Sequence, residues 1–131
     1  MDLQTQEEVI NFLVKQVSKF YKIPDDFKDL IWKREKRFST AFDNNVALPH
    51  PYVPCTQETF ASTVILKEPI LWGTKRVQII FLISISKEND PNIQTFYGKL
   101  SKLLVNDALL DQLLTHPTND FLLQILNMIK L

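Results

Sequence analysis

Val9, Phe12, Leu13, Val17 and Phe20 recur at three- and four-residue intervals with polar residues between them, which predicts an amphipathic helix over residues 5–21. Ile23-Pro24 stops it, because proline lacks a backbone donor and biases the preceding residue away from helix. Asp25 and Asp26 suit the start of a second helix, where carboxylates meet the positive end of the helix dipole. Phe27, Leu30 and Ile31 give that helix its apolar face, and it is expected to run to about Arg37.

Residues 38–45 read as a loop, with Asp43-Asn44-Asn45 supplying residue types that form side-chain turns and tolerate left-handed backbone. Val46 to Leu48 reads as a short strand ended by Pro49. Phe60 to Leu66 is a β-rich segment, and Ile70 to Trp72 can pair with a neighbour before a turn at Gly73. Val77 to Ile85 is almost wholly apolar between polar flanks, the pattern of a central strand buried on both faces. The period then turns helical. Phe96, Leu100, Leu103 and Leu104 mark one helix, residues 107–115 a shorter one, and Pro117 a break. Thr118 or Asn119 can cap a last helix whose face is Phe121, Leu122, Ile125, Leu126 and Ile129. Helices at both ends of a set of strands predict an α/β fold, a three-layer α/β/α sandwich with a central mixed sheet flanked by helices.

Length makes this one domain, residues 1–131, and 45% apolar content with nine Phe supplies one substantial core. Fifteen basic residues balance fifteen acidic ones, so no net charge draws the chain toward nucleic acid or anionic lipid. Lys33, Arg34, Lys36 and Arg37 form a local basic run, but Glu35 interrupts it and a solvated helix face explains it better. Cys55 is the single cysteine, which leaves no internal disulfide and fits a reducing compartment. Met1 to Glu8 lacks the basic-then-apolar order of a signal peptide. The longest apolar run is about half the ~20 residues a membrane helix needs, so a cytoplasmic, membrane-free protein is expected.

The candidate chemistry lies between Arg34 and His50. Arg34-Glu35 stands near the end of the second helix, Ser39-Thr40 follows, then the turn, then Val46-Ala47-Leu48-Pro49-His50. An imidazole is a good nucleophile near neutrality, and Pro49 would present it from a stiff strand end. A phosphoryl group moving to such a ring needs in-line access and compensation of its oxyanion charge. Arg34 can supply a fixed charge and a planar fork of donors, and Thr40 a hydroxyl or backbone donor. The ring's other nitrogen must be held by a hydrogen bond, or the wrong tautomer faces the donor.

This arrangement resembles the fructose/mannitol-type enzyme IIA domains of the sugar phosphotransferase system. Glu68-Pro69-Ile70-Leu71-Trp72, the strand from Val77 and the helix ending near Leu104 follow in that family's order, so the resemblance covers nearly the whole chain. It implies a catalytic set of His50 as phosphoryl acceptor, through Nε2, with Arg34 and Thr40. It also implies the phosphocarrier HPr as donor, an enzyme IIB (EIIB) protein or domain as a further partner, and no cofactor, no metal and no direct contact with nucleic acid.

Two departures shape the expected role. Transport-type members usually carry a second active-site histidine at the start of the helix after the central strand, and Asn92 to Phe96 holds none. Asp43-Asn44-Asn45 stands where glycines are common. Both resemble the enzyme IIA-like domain that ends many sugar-responsive antiterminators and activators. On that reading the chain is the C-terminal piece of a regulator and packs against other domains of its parent. The alternative is a stand-alone transport component passing phosphate to an EIIB cysteine. Glu35 receives no role, Cys55 reads as a small packing residue without a protease partner, and His116 reads as surface structure beside Pro117.

Overall fold

The computed structural model describes residues 2–88 and 93–118. In chain order these form α1 (Gln6–Ser18), α2 (Phe27–Arg37), β1 (Val46–Ala47), β2 (Phe60–Trp72), β3 (Lys75–Ser84), α3 (Ile93–Leu104) and α4 (Asp107–Thr115). They divide into two compact units, residues 1–90 and 91–131.

In the first unit β3 is the middle strand of a sheet ordered β1-β3-β2. It runs parallel to β1 and antiparallel to β2, so the sheet is mixed as expected. Its residues from Ile79 to Ser84 are all buried, which is why an unbroken apolar run is needed there. The two β segments expected before Gly73 are one long strand with an interruption. Pairing runs from Phe60↔Ser84 to Ile65↔Ile79 and resumes at Ile70↔Val77, leaving 66–69 outside the register. Pro69, with no N–H to give, falls in that gap, and Gln78 Nε2 donates to the freed Leu66 carbonyl at 3.0 Å. Gly73 turns the chain into β3 at φ 64°, a conformation that costs glycine little.

Val9, Ile10, Leu13 and Val17 of α1 and Phe27 and Ile31 of α2 share one core with Leu66, Trp72, Ile80 and Leu82. Burying each such side chain stabilises the fold by about 1.5–3 kcal/mol. The exposed Lys75–Asp43 ion pair at 2.8 Å adds no more than about 1 kcal/mol, so apolar contact holds the unit together. Thr5 caps α1 by accepting from the Glu8 N–H, while the Glu8 carboxylate accepts from the Gln4 N–H, close to a capping box. The helix ends at Ser18 instead of running to residue 21. Phe20, expected on the apolar face, is therefore past the helix and 76% exposed, whereas Tyr21 stacks on Phe60.

In the second unit Leu100 and Leu103 of α3 and Leu110 and Leu113 of α4 are buried. Asn106 caps α4 by accepting from the Leu109 N–H at 3.1 Å. The last helix, expected from Phe121 to Ile129 with Asn119 as a possible cap, lies outside the described residues. No helix among the described residues is long and apolar enough to cross a membrane.

Candidate functional site

The chain reaches His50 along a segment bonded on both sides. Asn45 takes φ 64°, the left-handed turn that an Asn tolerates, and its carbonyl accepts from the N–H groups of Gln78 and Ile79. Val46 and Ala47 then pair with Ile79 and Ile80, and the Pro49 carbonyl accepts from Ile83 N–H at 3.0 Å. On the other side Ala41 bridges Ala47, and the Leu48 N–H donates to the Thr40 carbonyl at 3.0 Å. Beyond His50, Pro51 is buried and the Tyr52 N–H donates to Leu30 of α2. His50 therefore sits between two buried prolines on backbone tied to β3, to the loop after α2 and to α2 itself.

The His50 ring is half-buried, with Nδ1 2.8 Å from the Leu48 carbonyl oxygen. A carbonyl can only accept, so Nδ1 carries the proton. In the neutral ring the lone pair is then on Nε2.

Arg34 lies in the last turn of α2, where basic side chains complement the helix dipole. Its Nη1 donates to the Phe38 carbonyl at 2.6 Å, just past the helix end. Among the described residues it has no carboxylate partner. One donor is anchored and the rest of the fork remains for an anion.

Thr40 is nearly fully buried at 4% exposure. Its hydroxyl donates to Glu35 Oε1, its N–H donates to Glu35 Oε2 at 3.2 Å, and its carbonyl takes the Leu48 N–H. A hydroxyl has one proton, so this one is not free for a phosphate oxygen. Thr40 is joined to His50 through Leu48, and Arg34 is anchored on the carbonyl two residues before Thr40. Among the described residues, Arg34 and His50 bond to backbone carbonyls and not to each other.

Glu35, given no role from sequence, accepts from Thr40 twice and from the indole Nε1 of the fully buried Trp72 at 3.3 Å. The signal was its spacing: Glu35 is four residues after buried Ile31, on the same helix face, where a carboxylate needs partners. Tyr52 was also missed. Lys33 Nζ lies 4.7 Å and the Arg37 guanidinium carbon 5.2 Å from its ring centroid, so part of the basic run is engaged by an aromatic face. Cys55 is half-buried against the core, and burial, with Asp26 adding to it and Lys87 opposing, pushes its thiol pKa up. His116 follows α4 in the second unit and is exposed. Among the described residues no group of three or more His, Cys, Asp or Glu could hold a metal ion.

The sequence model of the family described as "Phosphoenolpyruvate-dependent sugar phosphotransferase system, EIIA 2" matches residues 1–129. The Bacillus subtilis (strain 168) protein named "Probable licABCH operon regulator" is 40% identical over 113 residues, which are 86% of this chain and 18% of that protein. The chain thus spans about a fifth of the length of that relative. The crystal structure of IIA mannitol from Escherichia coli superimposes with a TM-score of 0.77 at 19% identity, covering 96% of this chain and 92% of that one. A complex of enzyme IIAMTL and phosphorylated enzyme IIBMTL from Escherichia coli matches with a TM-score of 0.80 at 20% identity, over 97% and 90% of the two chains. At such identities these structures establish the shared α/β fold, while the family match covers the Arg34–His50 segment and both compact units. The chain belongs to the EIIA type 2 family of the phosphoenolpyruvate-dependent sugar phosphotransferase system.

Proposed function

We propose that His50 accepts a phosphoryl group on Nε2 from phospho-HPr in the cytoplasm, and that the mark controls a sugar-operon regulator of which residues 1–131 form one domain. The observation that carries this reading is the 2.8 Å contact of Nδ1 with the Leu48 carbonyl, which leaves the Nε2 lone pair as the nucleophile. In the step, that lone pair forms the new nitrogen–phosphorus bond while the donor's bond to phosphorus breaks and its electron pair stays with the donor. The proton on Nδ1 remains in place, shared with Leu48. Arg34 offers its unanchored N–H groups to the phosphoryl oxygens. Thr40 contributes by holding the backbone of Leu48 rather than by touching phosphate.

The regulatory role is favoured by the 40% identity, over 86% of the chain, to a protein named as an operon regulator. Its partners would be HPr and the other domains of the parent protein. An EIIB partner is the transport alternative, suggested by a structural neighbour that is a complex of IIA with phosphorylated IIB.

Incubation with HPr, enzyme I and phosphoenolpyruvate should add one acid-labile phosphoryl group, read by intact mass. No gain, or the same gain after His50→Ala, removes the assignment. Arg34→Ala should slow the gain by about tenfold to a hundredfold without unfolding the protein. Equal rates would take Arg34 out of the site.

A further inference from the structure

We propose that Glu35 is a positioning residue for His50, acting through Thr40 and Leu48; the proposal rests on the reading of His50 as phosphoryl acceptor. The carboxylate receives three donors: the Thr40 hydroxyl on Oε1, and the Thr40 N–H and the Trp72 indole N–H on Oε2. Trp72 is fully buried at the end of β2, so one anchor of the carboxylate belongs to the sheet. The Thr40 carbonyl then accepts the Leu48 N–H at 3.0 Å, and the Leu48 carbonyl accepts from His50 Nδ1 at 2.8 Å. Each link uses the two ends of one residue's backbone or side chain, so displacement of Thr40 moves the carbonyl that sets the imidazole's orientation and tautomer.

The same bonds have a second consequence. Glu35 follows Arg34 directly in α2, and a mobile carboxylate there could neutralise the guanidinium meant for phosphate. Three donors hold it on Thr40 and Trp72, and Arg34 has no carboxylate partner among the described residues. Both effects need the two carboxylate oxygens. Glutamine could keep both N–H donors on its carbonyl and give its NH2 to the Thr40 hydroxyl, which can turn and accept, so Glu35→Met, which removes both oxygens at nearly constant volume, is the sharper perturbation.

The test compares wild type, Glu35→Met, Thr40→Val and Thr40→Ser in three measurements. These are the His50 ring tautomer by nitrogen NMR, the rate of phosphoryl gain with HPr, enzyme I and phosphoenolpyruvate, and the melting temperature. Glu35→Met and Thr40→Val should shift His50 away from the single Nδ1–H form and slow phosphoryl gain about tenfold or more. Thr40→Ser, which keeps the hydroxyl, should retain both. A lower melting temperature with tautomer and rate as in wild type would show that Glu35 is only structural and overturn the proposal. If Glu35→Met does not fold, Thr40→Val decides by the same two readouts. If wild type gains no phosphoryl group, the acceptor reading fails, and the tautomer comparison still decides whether Glu35 positions the ring.

Discussion

Gly73→Ala probes how closely the loop after α2 is held against the β2–β3 turn. A Cβ on residue 73 would lie 2.9 Å from Ser39 Oγ and 3.0 Å from Ser39 Cβ, while the backbone there has φ 64°. The left-handed conformation costs an alanine about 1–2 kcal/mol, offset by about 0.4–1 kcal/mol because alanine restricts the unfolded chain. The contact adds more. Ser39 is exposed, but its Oγ can swing away only by giving up its bonds to the Trp72 carbonyl and the Ala41 N–H, and its Cβ cannot leave without moving the backbone, so an overpacking cost of about 1 kcal/mol applies. Gly73→Ala should therefore destabilise by about 2 kcal/mol, measured as the shift in urea midpoint at constant slope. The contact and the strain separate in a double-mutant cycle. Combined with Ser39→Gly, which removes the obstructing atoms, Gly73→Ala should cost only about 1 kcal/mol, a coupling of about 1 kcal/mol. Additivity within about 0.3 kcal/mol would mean that residues 39 and 73 do not meet as described, and would detach Thr40's neighbour from the sheet.

Two further outcomes test the core and the lone thiol. Ile80→Ala, at a fully buried position of β3 paired with Ala47, should lose about 3–4 kcal/mol in urea unfolding, and a loss below about 1 kcal/mol would deny β3 its central place. Cys55, with its pKa pushed above the ordinary 9.0 chiefly by burial, should alkylate more slowly near pH 8 in the folded than in the unfolded protein. The raised pKa also means that, as pH climbs through 9.0, the unfolded chain loses its thiol proton first, so this group's contribution to stability is full below that pH and falls above it. Equal alkylation rates would show the thiol to be free of that environment.

The parts of the molecule legible in the sequence were those set by local rules. Helical spacing marked α1 and α2, the apolar run from Val77 marked the middle strand, and Pro117 marked the end of α4. The left-handed turn at Asn45 followed from the residue types alone. What sequence blurred was non-local. Phe20 continued the period of α1, yet the chain leaves the helix at Ser18, and Tyr21 takes the place against Phe60. Ile65 and Ile70 looked like members of two strands because the residues between them lie outside the pairing register, a feature decided by the partner strand. At the site, the motif pointed to His50, Arg34 and Thr40. It offered the Thr40 hydroxyl or backbone N–H as a donor, and only the fold shows both turned to Glu35. Periodicity reports which face a residue occupies, not which donor finds it there.

Those bonds also bear on the choice between transport and regulation. The His50 ring is oriented by backbone: Leu48 is fastened to Thr40, and its carbonyl holds Nδ1. None of this uses a second histidine, and the sequence has none between His50 and His116. A relay that hands phosphate onward gains from a second titratable group that can assist the leaving side of the transfer, whereas a switch needs only a ring that is loaded and read. On the proposed reading of His50, a site that orients its nucleophile without that group, in a chain 40% identical over 113 residues to a protein named as an operon regulator, favours the second requirement. The charge of a phosphoryl group on His50 would then be the signal itself, new anionic oxygens at a strand end to which both α2 and the sheet are bonded.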